Sequence, residues 1–95
     1  MIDLTFKQLR YFEALARHRH FGHAAEACAI SQPALSLQIK ELEAKFHTPL
    51  VERNARQVRL TPIGERLLEK ARHILLAVEE LDDLVRASQD LLAGR

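Results

Sequence analysis

A mainly α fold, with three short helices, a two-stranded hairpin and one long closing helix, is predicted by three observations. Apolar residues recur at helical period in three segments before Thr48, each opened by a capping or turn residue. Two short stretches suited to β structure flank the turn Arg53-Asn54-Ala55-Arg56. From Thr61-Pro62 onward, no breaker except Gly64 stands before Gly94.

Thr5 with Gln8 three residues on has capping-box spacing and announces the first helix. Leu9, Phe12 and Ala16 recur at helical period, flanked by Tyr11 and Leu15, and Arg17-His18-Arg19-His20 closes the segment. Phe21 is expected to pack inward and Gly22 to open a short second helix, His23 to Ala29. Its Ala24-Ala25 pair permits close, sharply angled helix packing. Ser31 is the expected N-cap of the third helix, with Pro33 tolerated in its first turn. There Leu35, Ile39, Leu42 and Phe46 face the core, while Gln32, Pro33, Ser36, Leu37 and Lys40 lie opposite. Thr48-Pro49 ends this helix, and Leu50-Val51 and Gln57-Val58-Arg59-Leu60 read as strands.

Thr61 and Pro62 suit the N-cap and first position of the last helix. Roughly 30 residues at 1.5 Å each give about 45 Å, too long to fold back on a small core. Leu67, Ala71, Ile74, Val78, Leu81, Val85, Ser88 and Leu92 follow the alternating spacing of a coiled-coil seam. Leu68, Leu75, Leu84 and Leu91 widen that stripe, so the helix requires an apolar partner. The expected division is residues 1–60 as a DNA-binding unit and 61–95 as a linker and dimerisation helix.

Composition narrows the function. The 95 residues suit one small domain that gains from a partner chain. No apolar run approaches a membrane span and no signal segment opens the chain, which predicts a cytoplasmic protein. Cys28 is the only cysteine, so neither a disulfide framework nor a thiolate metal site is expected. Residues 1–60 carry nine Lys/Arg against six acids, a net of +3; residues 61–95 carry five against seven, a net of −2. A basic head on an acidic tail suits a nucleic-acid binder with a separate assembly element.

Two helices joined by a tight turn, the second bearing short polar side chains, describe a helix-turn-helix, and the hairpin makes it a winged one. Its second helix enters the major groove with its N-terminal residues on base edges. Ser31, at the start of that helix, belongs to the expected contact set. Gln32 can bond adenine bidentately, Ser36 either base edge, and Pro33 and Leu37 a thymine methyl. Lys40, a turn further on, better suits a phosphate. Arg56 at the hairpin tip is placed to probe an adjacent minor groove. Arg53, nearer the strand, suits either pairing with an acid or bonding a phosphate. Leu37 has two readings, thymine contact or an ordinary exposed leucine.

Ala24-Ala25-Glu26, Ser31-Gln32-Pro33-Ala34-Leu35-Ser36 and Glu41-Leu42-Glu43 resemble the signature of the LysR-type regulators. Leu50-Val51-Glu52-Arg53, Arg56 and Leu60-Thr61-Pro62-Ile63-Gly64 extend the likeness into the wing and the linker helix. His18-Arg19-His20-Phe21 with Cys28 narrows it to the peroxide-sensing OxyR branch. The resemblance implies a homodimer joined through antiparallel linker helices, each wing domain reading half of an interrupted inverted repeat in a promoter. It also implies a tetramer for the full-length protein, RNA polymerase as a further partner, and a C-terminal effector domain beginning where this chain stops. The chain therefore reads as the DNA-binding part of a longer regulator. Three positions depart from the family pattern: Leu37 where arginine is frequent, His47 where glycine is usual, and Gly22 where Ser or Thr is usual. The glycine pattern predicts a left-handed backbone at His47.

Other chemistries are disfavoured. His18, His20 and His23 diverge around a helix end without a carboxylate or thiolate to complete a metal shell, so neither metal nor cofactor is expected. Cys28 reads as a small buried hydrophobe. A protein-docking module is the first competing function, and its apolar groove-facing surface is missing from the polar third helix. An enzyme is the second, and no nucleophile–base pair, Gly-rich phosphate loop or paired carboxylates support it.

Overall fold

The computed structural model describes residues 2–53 and 56–92. Asn54 and Ala55 of the expected turn lie outside the described residues, as do Gly94 and the side chains of Leu91 and Leu92. Among the described residues, four helices and one hairpin follow the predicted order.

Helix α1 runs Phe6–His18. Thr5 Oγ1 accepts the Gln8 N–H, and the Gln8 side chain accepts the Thr5 N–H, both at 3.2 Å. This reciprocal pair satisfies donors that a helix start leaves open. Leu9, Phe12, Leu15 and Ala16 are buried as the period requires. Helix α2 spans Phe21–Ala27, two residues earlier than the expected His23–Ala29. The reason is local: His20 serves as N-cap, its Nδ1 accepting the His23 N–H at 3.0 Å, so Gly22 falls inside the helix.

The turn after α2 is a Schellman closure. The Ile30 N–H reaches the Ala25 carbonyl at 3.0 Å, the Ala29 N–H reaches Glu26 at 3.1 Å, and Ala29 takes φ +57°. Helix α3, Gln32–Phe46, starts on Ser31, whose Oγ accepts the Ala34 N–H at 3.2 Å. It ends the same way as α2. His47 has φ +54°, its N–H bonds Ala44, and the Thr48 N–H bonds Glu43. The left-handed residue expected at His47 is therefore present, and it stops the helix before Thr48-Pro49 are reached.

Strands β1, Val51–Glu52, and β2, Arg59–Leu60, pair antiparallel with Val51 opposite Leu60 and Glu52 opposite Arg59. The first strand is shifted one residue from the expected Leu50-Val51, because Leu50 is held from outside the ladder, and the second is two residues shorter than the expected Gln57–Leu60. Its N–H goes to the Glu43 carboxylate at 2.7 Å, and its carbonyl accepts the Thr61 N–H at 3.0 Å. Helix α4 then runs 31 residues, Pro62–Leu92, about 46 Å at 1.5 Å per residue. The Thr61 hydroxyl accepts the Gly64 N–H at 3.1 Å and donates to the Pro49 carbonyl at 2.9 Å, tying the helix start to the hairpin.

Phe12, Leu15, Leu35, Ile39, Leu42 and Leu50 are fully buried and form the centre of the core, with Ala24-Ala25 packed into it. The first turns of α4 close it: Leu68 is buried, Leu67 packs partly against it, and Ala71 is 1% exposed. The expected seam therefore divides. Ala71 is covered within its own chain and Leu67 largely so, whereas Ile74, Leu81 and Val85 are exposed. Periodicity does not reveal this division, because one stripe serves equally well against α1 or against another chain. Among the described residues, no helix is long and apolar enough to cross a membrane.

Candidate nucleic-acid interface

The outward face of α3 is built by its two ends. Ser31 starts the helix with its hydroxyl engaged as cap, and Leu35, Ile39 and Leu42 turn inward. The helical period then leaves Gln32, Pro33, Leu37 and Lys40 exposed and Ser36 half-buried. Gln32 Oε1 lies beside α2, 3.6 Å from where a Cβ on Gly22 would stand. Gln32, Pro33, Ser36 and Lys40 line one open depression together with Phe21 and Arg53. The hairpin thus contributes a guanidinium to the same surface as the first two turns of α3.

Arg53 is not a free cation. It pairs with Glu43, whose other carboxylate oxygen accepts the Leu50 N–H at 2.7 Å and the Val51 N–H at 3.1 Å. The pairing with an acid that the sequence allows for Arg53 is present. Glu43 is the organiser that sequence reasoning did not single out: one carboxylate on α3 fixes the strand entry and orients the arginine. Its place in Glu41-Leu42-Glu43 carries no sign of that role, since the donors lie seven and eight residues ahead. Arg56 and Arg59 are exposed on the hairpin and line a second depression with Arg53, Gln57 and Thr61. Lys40, Arg56 and Arg59 therefore supply exposed cationic heads beside the Arg53–Glu43 pair.

Among the described residues, no group of three His, Cys, Asp or Glu side chains is placed to hold a metal ion. His20 and His23 stack with ring centroids 4.0 Å apart, and His20 spends Nδ1 on the helix cap. Cys28 is half-buried at the end of α2, beside a groove between α1 and α4. Burial pushes its thiol pKa up, against the lowering effect of Arg10 and Arg17. That is the opposite of what a reactive thiolate needs.

On α4, Ile74, Leu81, Leu84 and Val85 form an exposed apolar stripe beyond the point where the chain's own core ends. Leu75 and Val78 turn toward the groove shared with Phe6, Arg10 and Glu13 of α1. The DNA-reading and assembly candidates thus occupy different surfaces.

Comparison with known proteins agrees with this layout. The chain is 40% identical over 91 residues to a hydrogen peroxide-inducible genes activator of Pectobacterium carotovorum subsp. carotovorum, a match covering 96% of this chain and 30% of the relative. It is 38% identical over 91 residues to the DNA-binding transcriptional dual regulator OxyR of Escherichia coli, with the same coverage. The chain spans about a third of the length of these relatives, which are regulators of transcription rather than enzymes. A full-length OxyR variant from Pseudomonas aeruginosa superposes with a TM-score of 0.85 at 40% identity, over 88% of this chain and 28% of that one. The DNA-binding domain of BenM in complex with catB site 1 DNA also gives a TM-score of 0.85, at 34% identity, over 87% of this chain and 93% of that one. Residues 6–65 match the family model described as bacterial regulatory helix-turn-helix protein, lysR family. With three helices, a wing and a long helix in that order, this chain belongs to the LysR family of bacterial helix-turn-helix regulators.

Proposed function

We propose that this chain binds double-stranded promoter DNA sequence-specifically as a dimer, and so regulates transcription in the cytoplasm. The observation that carries the reading is the exposed N-terminal half of α3, polar and flanked by the hairpin arginines, on the side opposite the core. Helix α3 enters the major groove with Gln32 and Ser36 on base edges, Ser31 and Pro33 beside them, and Lys40 on a phosphate. Arg56 reaches the minor groove or backbone next to it. Arg53 acts mainly by holding the hairpin through Glu43. Residues 1–60 read DNA and residues 61–95 assemble two copies on an interrupted inverted repeat. The exposed stripe Ile74, Leu81 and Val85 supports that assembly.

Selection of duplexes from a random pool, followed by titration at two salt concentrations, tests this. One enriched motif with two related halves and a steep loss of affinity with salt is the expected result. Arg56→Ala should weaken binding and lower the salt slope by about one if it neutralises a phosphate. A pool that gains no motif overturns the reading in favour of a protein-docking module.

The relatives named as hydrogen peroxide-inducible genes activators support a finer reading, an oxidative-stress regulator. Transcript profiling of a strain lacking the gene, with and without peroxide, tests it. An unchanged peroxide response removes that reading and leaves DNA binding untouched.

A further inference from the structure

Leu37 is out of keeping with its surroundings. It sits in the second turn of α3, four residues after Pro33 and next to Ser36, and is 55% exposed. Among the described residues of α2, α3 and the hairpin, it is the one large hydrophobic side chain left exposed. It takes no part in the core cluster or its partly buried fringe. Pro33 and Leu37 form a short apolar strip on one helix face, with Ser36 and Lys40 alongside.

Leucine can neither donate nor accept a hydrogen bond. Pressed against guanine O6 and N7, or cytosine N4, it would strip water from polar atoms and offer nothing in return. Against thymine it meets the C5 methyl, the one apolar group that a base pair presents in the major groove. Contact there removes apolar surface from water on both sides at once.

We propose that Leu37 is a specificity-determining residue that reads the C5 methyl of one thymine in each half-site. The inference rests on α3 being the recognition helix. Its strength follows from the area involved: burying one methyl group is worth about fourfold in affinity.

The probe is a duplex selected from a random pool by the unaltered protein, with each thymine replaced in turn by uracil, which removes only the methyl. At one position in each half-site a single uracil should weaken binding about fourfold, and uracil at both of these positions about sixteenfold. Leu37→Ala should bind the thymine duplex about as weakly as the unaltered protein binds the doubly substituted one, and should be indifferent to uracil at either position. Leu37→Arg, repeated through the selection, should exchange that thymine for guanine. Because the side chain is exposed and outside the core, neither variant disturbs folding. If no uracil matters, or if the same uracil matters equally in Leu37→Ala, the assignment to Leu37 is overturned while DNA reading stands. If the pool yields no motif at all, the DNA reading fails and this assignment with it.

Discussion

From Gly64 to Ala71, α4 is held by its own chain, whereas further on only Leu75 and Val78 stay half-buried toward α1 and the stripe from Ile74 to Val85 is exposed. In the first part the Gly64 N–H bonds Thr61, Leu68 and Ala71 are buried, and Arg72 approaches Glu13 of α1 at 4.0 Å. In the second part Ile74, Leu81, Leu84 and Val85 are exposed, and an ion pair, Arg86 with Asp82, stays within the helix. The apolar period is continuous across both. What changes is the supply of neighbours, because among the described residues no element follows α4 outward past the first turn of α1. Such a helix gains its stability from tertiary packing rather than from propensity, which supports the proposal that its outer part packs on a second chain.

The head and the outer helix should accordingly fail in different ways. The largest effect is expected from replacing Leu81 and Val85 together by Asp. Each copy would bring two charges into the apolar contact, and the dimer dissociation constant should rise by roughly a hundredfold or more. The thermal midpoint of the head, followed in the monomer, should not move. Sedimentation that still finds a dimer at micromolar concentration would show that another surface joins the copies.

Gly64→Ala probes the opposite end of α4. A Cβ there would stand 2.3 Å from the Leu50 carbonyl oxygen, a backbone atom that cannot swing aside. Displacing the helix start or the strand entry should cost about 2–3 kcal/mol and lower the melting midpoint by roughly 10–20 °C. A midpoint close to that of the unaltered protein would mean that α4 is only loosely seated on the hairpin.

Glu43→Ala removes the acceptor for two backbone N–H groups and the partner of Arg53. About 2 kcal/mol should be lost in a urea titration. Arg53→Ala should cost well under half of that, since it deletes only a partly exposed guanidinium and leaves the N–H bonds intact. Equal losses would place the weight on the ion pair instead.

Ala29→Gly should raise stability by about 1 kcal/mol. Ala29 holds φ +57° in the turn between α2 and α3, where a Cβ is unfavourable. The same replacement at Ala77, in the outer helix, should lose a similar amount. A loss at Ala29 would mean that its methyl group contributes packing that outweighs the strain.

Much of the head is legible residue by residue. The Thr5–Gln8 box, the Ser31 cap, the inward row Leu35–Ile39–Leu42, the left-handed His47 and the Thr61-Pro62 start all stand where the pattern places them. The start of α2 was displaced because a histidine, not one of the usual capping residues, accepts the first N–H. The polar positions of α3 were legible for the same reason as its core, since one helical period settles both faces.

The amino-acid order alone thus determined which segments are helical, where three of them begin, and which side of α3 is left exposed. These features rest on bonds and contacts between residues three or four positions apart, which any short stretch of chain can form. The tertiary structure alone decided that Glu43 fixes the hairpin and engages Arg53, that Gly64 must lack a side chain beneath Leu50, and that the stripe of α4 divides after Ala71. Each of those depends on atoms brought together from separate elements, and no local pattern records which distant group will arrive.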